Sequence, residues 1–118
     1  MSVSTIVKLP RSGSDPITDN LAGWTVVSGK PTMKTYVLHT SADGTMISGI
    51  WEATPGTFHA NYAGFEFVHL LAGKITITPD DGTPVTVIGG DAFVVEPTFK
   101  GTWKIEEPVY KHFTARIK

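Results

Sequence analysis

From residue 34 onward, apolar and polar positions alternate in short runs, each closed by a turn-forming cluster. Alternation with period two is the mark of half-buried β-strands, whose successive side chains point to opposite faces. Residues 35–40 and 46–53 are β-rich and flank Ser41-Ala42-Asp43-Gly44. An Asp-Gly pair between two such runs predicts a hairpin, because glycine supplies the positive φ of a tight reversal. Pro55-Gly56 breaks the pattern, and 57–62 and 66–71 resume it on either side of Ala63-Gly64. Residues 74–78 place Ile75 and Ile77 on one face, and Asp80-Asp81-Gly82 turns the chain into 85–88. Gly89-Gly90-Asp91 leads into 92–95, and 102–105 and 110–117 complete the set. The pattern predicts about eight or nine short strands at roughly ten-residue spacing, with no helical period, which points to an all-β sandwich or barrel.

The first part of the chain reads differently. Residues up to about Asn20 are rich in Ser, Pro, Asp and Gly and predict an arm, ordered only where it docks. Trp24 to Val27 form a short apolar run closed by Gly29 and Pro31. The expected division is therefore 1–33, an arm with a first short strand, and 34–118, a single β-domain.

Composition narrows the function. With 118 residues, 41% apolar and 18% charged, the chain has the makings of one globular domain that folds without a disulfide or metal staple. Its net charge of −1, with ten scattered Lys and Arg, gives no electrostatic footprint for nucleic acid. Cysteine is absent, which excludes disulfides and thiolate metal sites. No secretory h-region opens the sequence, and no segment approaches a membrane span, so the expectation is a cytoplasmic protein. There is no Ser-His-Asp arrangement, no phosphate-cradling Gly-rich loop before a helix, and no basic aromatic stripe.

Two stretches carry a family resemblance. The first runs from Gly49-Ile50-Trp51-Glu52 through Pro55-Gly56 to Glu66-Phe67-Val68-His69-Leu70-Leu71-Ala72-Gly73-Lys74. The second is Gly89-Gly90-Asp91-Ala92-Phe93-Val94-Val95, then Phe99-Lys100-Gly101-Thr102-Trp103 and Lys111-His112. Together they resemble the two motifs of the cupins. They are most similar to small single-domain cupins related to ureidoglycine aminohydrolase and the ethanolamine-utilisation cupin. The resemblance implies a single-domain jelly-roll barrel, a β-sandwich curled around one pocket.

It also implies where a metal would sit. Metal-binding cupins use two His one residue apart on a strand, a later Glu, and a third His from the second motif. By that resemblance His59 and Glu66 occupy ligand positions, Asn61 stands where the second His would be, and Gly101 replaces the third. Two good ligands fall short of the three that a catalytic site supplies. No tightly bound metal or other cofactor is therefore expected. If a metal binds at all, its ligands are His59, Glu66 and Asn61. His69 and His112 are the other candidates, but His69 has the wrong strand parity to join Glu66.

The candidate catalytic residues are Glu66 and His59. A carboxylate directed into an apolar barrel acquires a raised pKa suited to acid–base work, unless it is a structural Glu bonded to a turn or a Lys. His59 is a base or pH switch beside it, or else a polar residue at the barrel mouth. Trp51, Asn61 and Trp103 are expected to line the pocket, with core packing the alternative for both indoles. Phe58 and Tyr62 read as packing residues, and Lys111 as part of a solvated strand surface. Three functions fit: a metal-free cupin that binds an unknown small molecule, an enzyme acting on a ureido-type metabolite with a weak divalent metal, or an assembly protein with a filled barrel. The expected partners are a small molecule and a second copy in a homodimer, with no nucleic acid and no membrane.

Overall fold

The computed structural model describes residues 5–118, so the first four residues of the expected arm lie outside it. The described residues form eight strands and no helix: β1 (Trp24–Ser28), β2 (Met33–Thr40), β3 (Met46–Ala53), β4 (Gly56–Asn61), β5 (Glu66–Pro79), β6 (Val85–Ile88), β7 (Ala92–Val95) and β8 (Lys100–Arg116). None of them is a helix long and apolar enough to cross a membrane. All pairings are antiparallel and build one curled sheet, the jelly-roll arrangement. Along it the order is β1-β4-β8-β3-β2, and β5 pairs with β6, β7 and β8.

β8 is the spine of the molecule. One edge of it pairs first with β4, through Gly56↔Ile105 to Asn61↔Lys100, and then with β3, through Met46↔Arg116 to Ala53↔Val109. The hand-over falls at Glu106 to Pro108, where no β3 or β4 residue is opposite. Pro108 suits that gap because it has no N–H to offer a ladder. The other edge of β8 follows β5 nearly end to end.

Two pairs of runs expected as separate strands are thus single long ones. Residues 66–71 and 74–78 merge into β5, and 102–105 and 110–117 merge into β8. Gly73, which separates the two expected runs, sits in an irregular stretch of β5 where the register shifts between Leu70 and Ile75. Its φ of 109° is open to glycine, and a Cβ there would lie 2.5 Å from the Pro108 carbonyl oxygen. The irregularity reverses parity. Glu66, Val68 and Leu70 are buried before it and Ile75 and Ile77 after it, so β5 changes from even to odd positions on its inner face.

The core is aromatic at its centre. Trp24, Trp51, Phe58 and Trp103 are buried in mutual contact, with ring centroids 5.1 to 6.5 Å apart in tilted or edge-on pairs. Trp24 lies on β1, so the first strand contributes to the same core as the rest of the chain. The described part of the arm runs back over its own sheet. Ile17 exchanges two backbone hydrogen bonds with Thr35, and the Tyr110 hydroxyl donates to the Arg11 carbonyl. Gly13 lies against Tyr36 and Leu38 on β2.

Candidate functional site

One end of the barrel opens into a cleft of about 270 Å³. Its mouth is formed by Leu21 and Ala22 before β1, Ala63 and Gly64 between β4 and β5, and Arg116 and Ile117 at the end of β8. Its wall and floor include Trp24, Thr35, Trp51, Tyr62, Glu66, Lys111 and Phe113. Most of this lining is aromatic or aliphatic, with a few polar groups converging on it, as in small-molecule sites generally.

Those polar groups come from strand parity. On β8 the buried positions are Trp103, Ile105, Val109 and Phe113, all odd, and Lys111 belongs to the same inward row. Only 2% of its surface is exposed, so the expected solvated lysine is instead part of the interior. Its Nζ donates to Oε2 of Glu66 at 2.9 Å. It also stands 4.7 Å from the ring centroids of both Trp51 and Trp103 and 5.9 Å from that of Phe113. Indole faces are the best aromatic partners for a cation. Burial pushes the Lys111 amine below the usual lysine range, and the Glu66 carboxylate acts in the opposite direction.

Glu66 is held from both sides. Its Oε1 accepts a 2.6 Å hydrogen bond from the Tyr62 hydroxyl. Tyr62 stacks on Trp103 with an interplanar angle of 14° and meets Phe99 edge-on. Burial and the neighbouring carboxylate hold the Tyr62 phenol well above its ordinary pKa, so it remains a donor at neutral pH. Of the expected readings of Glu66, the carboxylate paired with a lysine is the one found, and it occurs on the cleft wall.

The remaining sequence candidates fall in different places. Asn61 and Trp51 border the cleft. Trp103 is fully buried behind the wall, against Lys111 and Trp51, and does not line the cleft. His59 is not brought to Glu66. Phe58 and Ala60 are the buried residues of β4, which turns His59 outward, where its Nε2 lies 3.0 Å from Oδ2 of Asp80. His69 and His112 are opposite each other in register on the outer face, away from the inward Glu66 and Lys111.

These placements decide how far the residues fit a divalent metal. Among the described residues no group of three or more His, Cys, Asp or Glu stands together. Among the described residues that line the cleft, Glu66 is the only one of those four types, and it already faces an ammonium and a phenol. At Gly101, a Cβ would lie 2.2 Å from the Thr78 carbonyl oxygen, so the strand packing has no room for a ligand side chain there. The donor set does not fit a cupin metal centre.

Another, larger space of about 520 Å³ lies beside β6 and β7, among Ile77, Val87, Phe93 and Phe99. Its charged residues, Asp81, Glu96 and Lys100, are all exposed. It has nothing comparable to the buried Lys111–Glu66–Tyr62 chain.

Sequence reasoning missed Lys111, Tyr62, Thr35 and Trp24 as cleft residues. For Lys111 the signal was present in the odd-numbered apolar row of β8. Tyr62 continues the inward alternation of Phe58 and Ala60, a pattern that marks packing and does not single out a cleft residue.

Comparison with known proteins agrees with this architecture. Residues 40–113 match the family model of the EutQ-like cupin domain. The EutQ protein of Clostridium difficile superposes with a TM-score of 0.65 at 17% identity, over 73% of this chain and 68% of that one. A putative ethanolamine utilization protein Q from Salmonella typhimurium gives 0.62 at 16%, over 89% and 98%. A protein of unknown function of the DUF861 family from Pseudomonas syringae pv. tomato gives 0.75 at 21%, over 91% of this chain. This chain spans 46% of that protein's length. At these identities the structural likenesses establish the fold. No curated protein matches the sequence.

Proposed function

This chain belongs to the EutQ-like cupin family, and from that footing we propose that it binds a small molecule in the cleft beside Lys111 and Glu66, without a tightly held metal. The observation that carries this reading is the buried ion pair on the wall of an otherwise largely apolar, open cleft. As a device for stability alone, a buried pair is commonly matched or bettered by apolar side chains of the same volume. Its presence where a ligand would enter supports a recognition role. A purely structural barrel is less well supported: Trp51, Trp103 and Phe58 fill the centre, yet the cleft beside them remains.

The test is a fragment set at millimolar concentration, followed by melting temperature and by the indole N–H resonances of the labelled protein. A ligand at about a hundred times its Kd adds ~2.7 kcal/mol of stability. The expected result is at least one binder that raises the melting temperature and perturbs Trp24 and Trp51. If no fragment does either, and a crystal structure shows side chains closing the cleft, the reading fails.

A homodimer is the assembly we propose for it. In its support, Phe67 and Val94 are neighbours in register on β5 and β7, and 43% and 52% of their surfaces are exposed. Exposed neighbouring apolar residues on a sheet face suit a self-complementary contact. Sedimentation of a Phe67→Glu variant as a monomer, beside a dimeric parent, is the expected outcome.

A further inference from the structure

Two residues of the cleft wall carry buried polar atoms that find no partner among the described residues: Oγ1 of Thr35 and Nε1 of Trp51. Their side chains belong to residues only 2% and 1% exposed. They are neighbours by construction of the sheet. Thr35 on β2 is in register with Trp51 on β3, and Trp51 is in register with Lys111 on β8. A hydroxyl, an indole N–H and an ammonium therefore form one row across three strands, and all three residues border the cleft. An indole N–H can only donate, and a hydroxyl can donate or accept. Buried donors without partners are uncommon in folded proteins, and each asks for an explanation. Trp103 Nε1 is also unpartnered, but Trp103 is not among the residues that line the cleft.

We propose that the cleft selects an uncharged small molecule whose carbonyl oxygen accepts hydrogen bonds from Trp51 Nε1 and Thr35 Oγ1, with its apolar body against Trp24 and Phe113. This rests on the small-molecule reading above and adds the chemical class of the ligand.

Charge sets the choice among acceptors. The Lys111 ammonium is already matched by the Glu66 carboxylate, which also receives the Tyr62 hydroxyl. A ligand carboxylate would bring an uncompensated charge against a wall of indole and phenyl rings, which is costly in a poorly solvated site. A ligand ammonium would face an indole N–H that can only donate and another ammonium. A neutral carbonyl satisfies both orphaned donors and adds no charge. Arg116 does border the cleft, but it lies exposed at the mouth with its Nε donating to the Lys118 carbonyl. An anion bound there would sit in water, away from the row.

The test uses the full-length protein labelled with nitrogen-15 and five small probes: butyramide, 2-pentanone, butyrate, butylammonium and toluene. The Trp51 indole resonance is assigned by its loss in Trp51→Phe. Butyramide and 2-pentanone are expected to move it downfield in a saturable way and to bind roughly tenfold or more tightly than the other three, the scale of one net hydrogen bond. Trp51→Phe and Thr35→Val are each expected to weaken the two carbonyl probes roughly tenfold, and Thr35→Val to leave toluene unchanged. Thr35→Val keeps the side-chain shape, so it remains informative if Trp51→Phe perturbs the fold. Preferential binding of butyrate would overturn the proposal in favour of an anion site. Equal binding of toluene and butyramide, or no loss in Thr35→Val, would overturn the ligand class and leave small-molecule binding standing. Failure of all five probes at high millimolar concentration would overturn the ligand class and count against the binding reading itself.

Discussion

Lys111 and Glu66 meet along a diagonal of the inner sheet face, and not across a register pair. Lys111 is opposite Leu70 on β5, whereas Glu66 is opposite Ala115 on β8, yet Nζ and Oε2 are 2.9 Å apart. The long lysine stem runs past the Val68–Phe113 pair, with its ammonium against two indoles on the way. Removing one member of such a pair strands a buried charge, which typically costs about 3–5 kcal/mol. Lys111→Met is therefore expected to destabilise by about that much, and Lys111→Met with Glu66→Leu to recover most of the loss. Urea unfolding of the four proteins of this cycle measures it. Strict additivity of the two single changes would show that the pair is not energetically coupled.

The Tyr62 phenol should ionise abnormally. Three tyrosines are present in the chain, and burial with the nearby Glu66 carboxylate raises Tyr62 well above 10. Tyr36 is also raised, by desolvation and by Glu52, but it is far less enclosed. An alkaline titration followed at the phenolate absorbance should show one tyrosine that ionises only as the protein unfolds, and Tyr62→Phe should delete that step. Since the folded pKa lies above the unfolded one, the stabilisation is complete below pH 10 and declines as pH rises beyond it. Tyr62→Phe should also cost about 1.5–3 kcal/mol at neutral pH, the worth of a hydrogen bond to a charged acceptor.

The all-β class and most of the turns were legible because they depend on local rules, and the jelly-roll closure came from the family resemblance. Asp43-Gly44 and Gly90 occupy the predicted turns, and Gly44 and Gly90 have φ of 74° and 100°. The merging of β5 was not legible, because Gly73 in a bulge and Gly73 in a turn leave the same mark on a sequence. His59 shows how a motif can mislead. Its ligand role came from resemblance, while the alternation of Phe58 and Ala60 on β4 already turned it outward. Lys111 shows the reverse case. Its charge argued for solvent, yet the row Trp103, Ile105, Val109, Phe113 argued for the interior, and packing prevailed because Glu66 and the indoles were there to receive it. That partnership is a product of tertiary structure, and no window of sequence contains both residues.

His59→Ala is expected to be nearly silent. The His59–Asp80 contact is solvent-accessible, with side-chain exposures of 28% and 54%, and such pairs contribute about 0–1 kcal/mol. The same variant should bind cleft ligands like the parent. Because the donor set of the cleft does not fit a divalent cation, prolonged chelation should likewise leave the melting temperature unchanged. Metal analysis by inductively coupled plasma mass spectrometry is the decisive companion. Near-stoichiometric Mn, Fe, Ni or Zn, lost in His59→Ala, would contradict the placement of His59 and revive a metal-dependent enzyme.

Acid should loosen the β2–β3 hairpin first. Asp43 Oδ1 accepts from the Ser41 hydroxyl at 2.7 Å, the Thr45 hydroxyl at 2.7 Å and the Thr45 amide at 3.0 Å. These bonds, led by that from the Thr45 hydroxyl, lower the carboxyl pKa from 3.8 to about 2. As pH falls, the unfolded chain takes up its proton first, so the stabilisation present above pH 3.8 is lost on the way down to about pH 2. In Asp43→Ala the acid limb of the stability curve should be shallower over that window, and the protein less stable than the parent at neutral pH. Amide exchange at Thr45 and Met46, whose N–H groups bond to Asp43 and to Ser41, reports the same event locally. Exchange there that is unchanged between pH 5 and 2.5, after correction for the intrinsic rate, would mean that the turn does not depend on the ionised carboxylate.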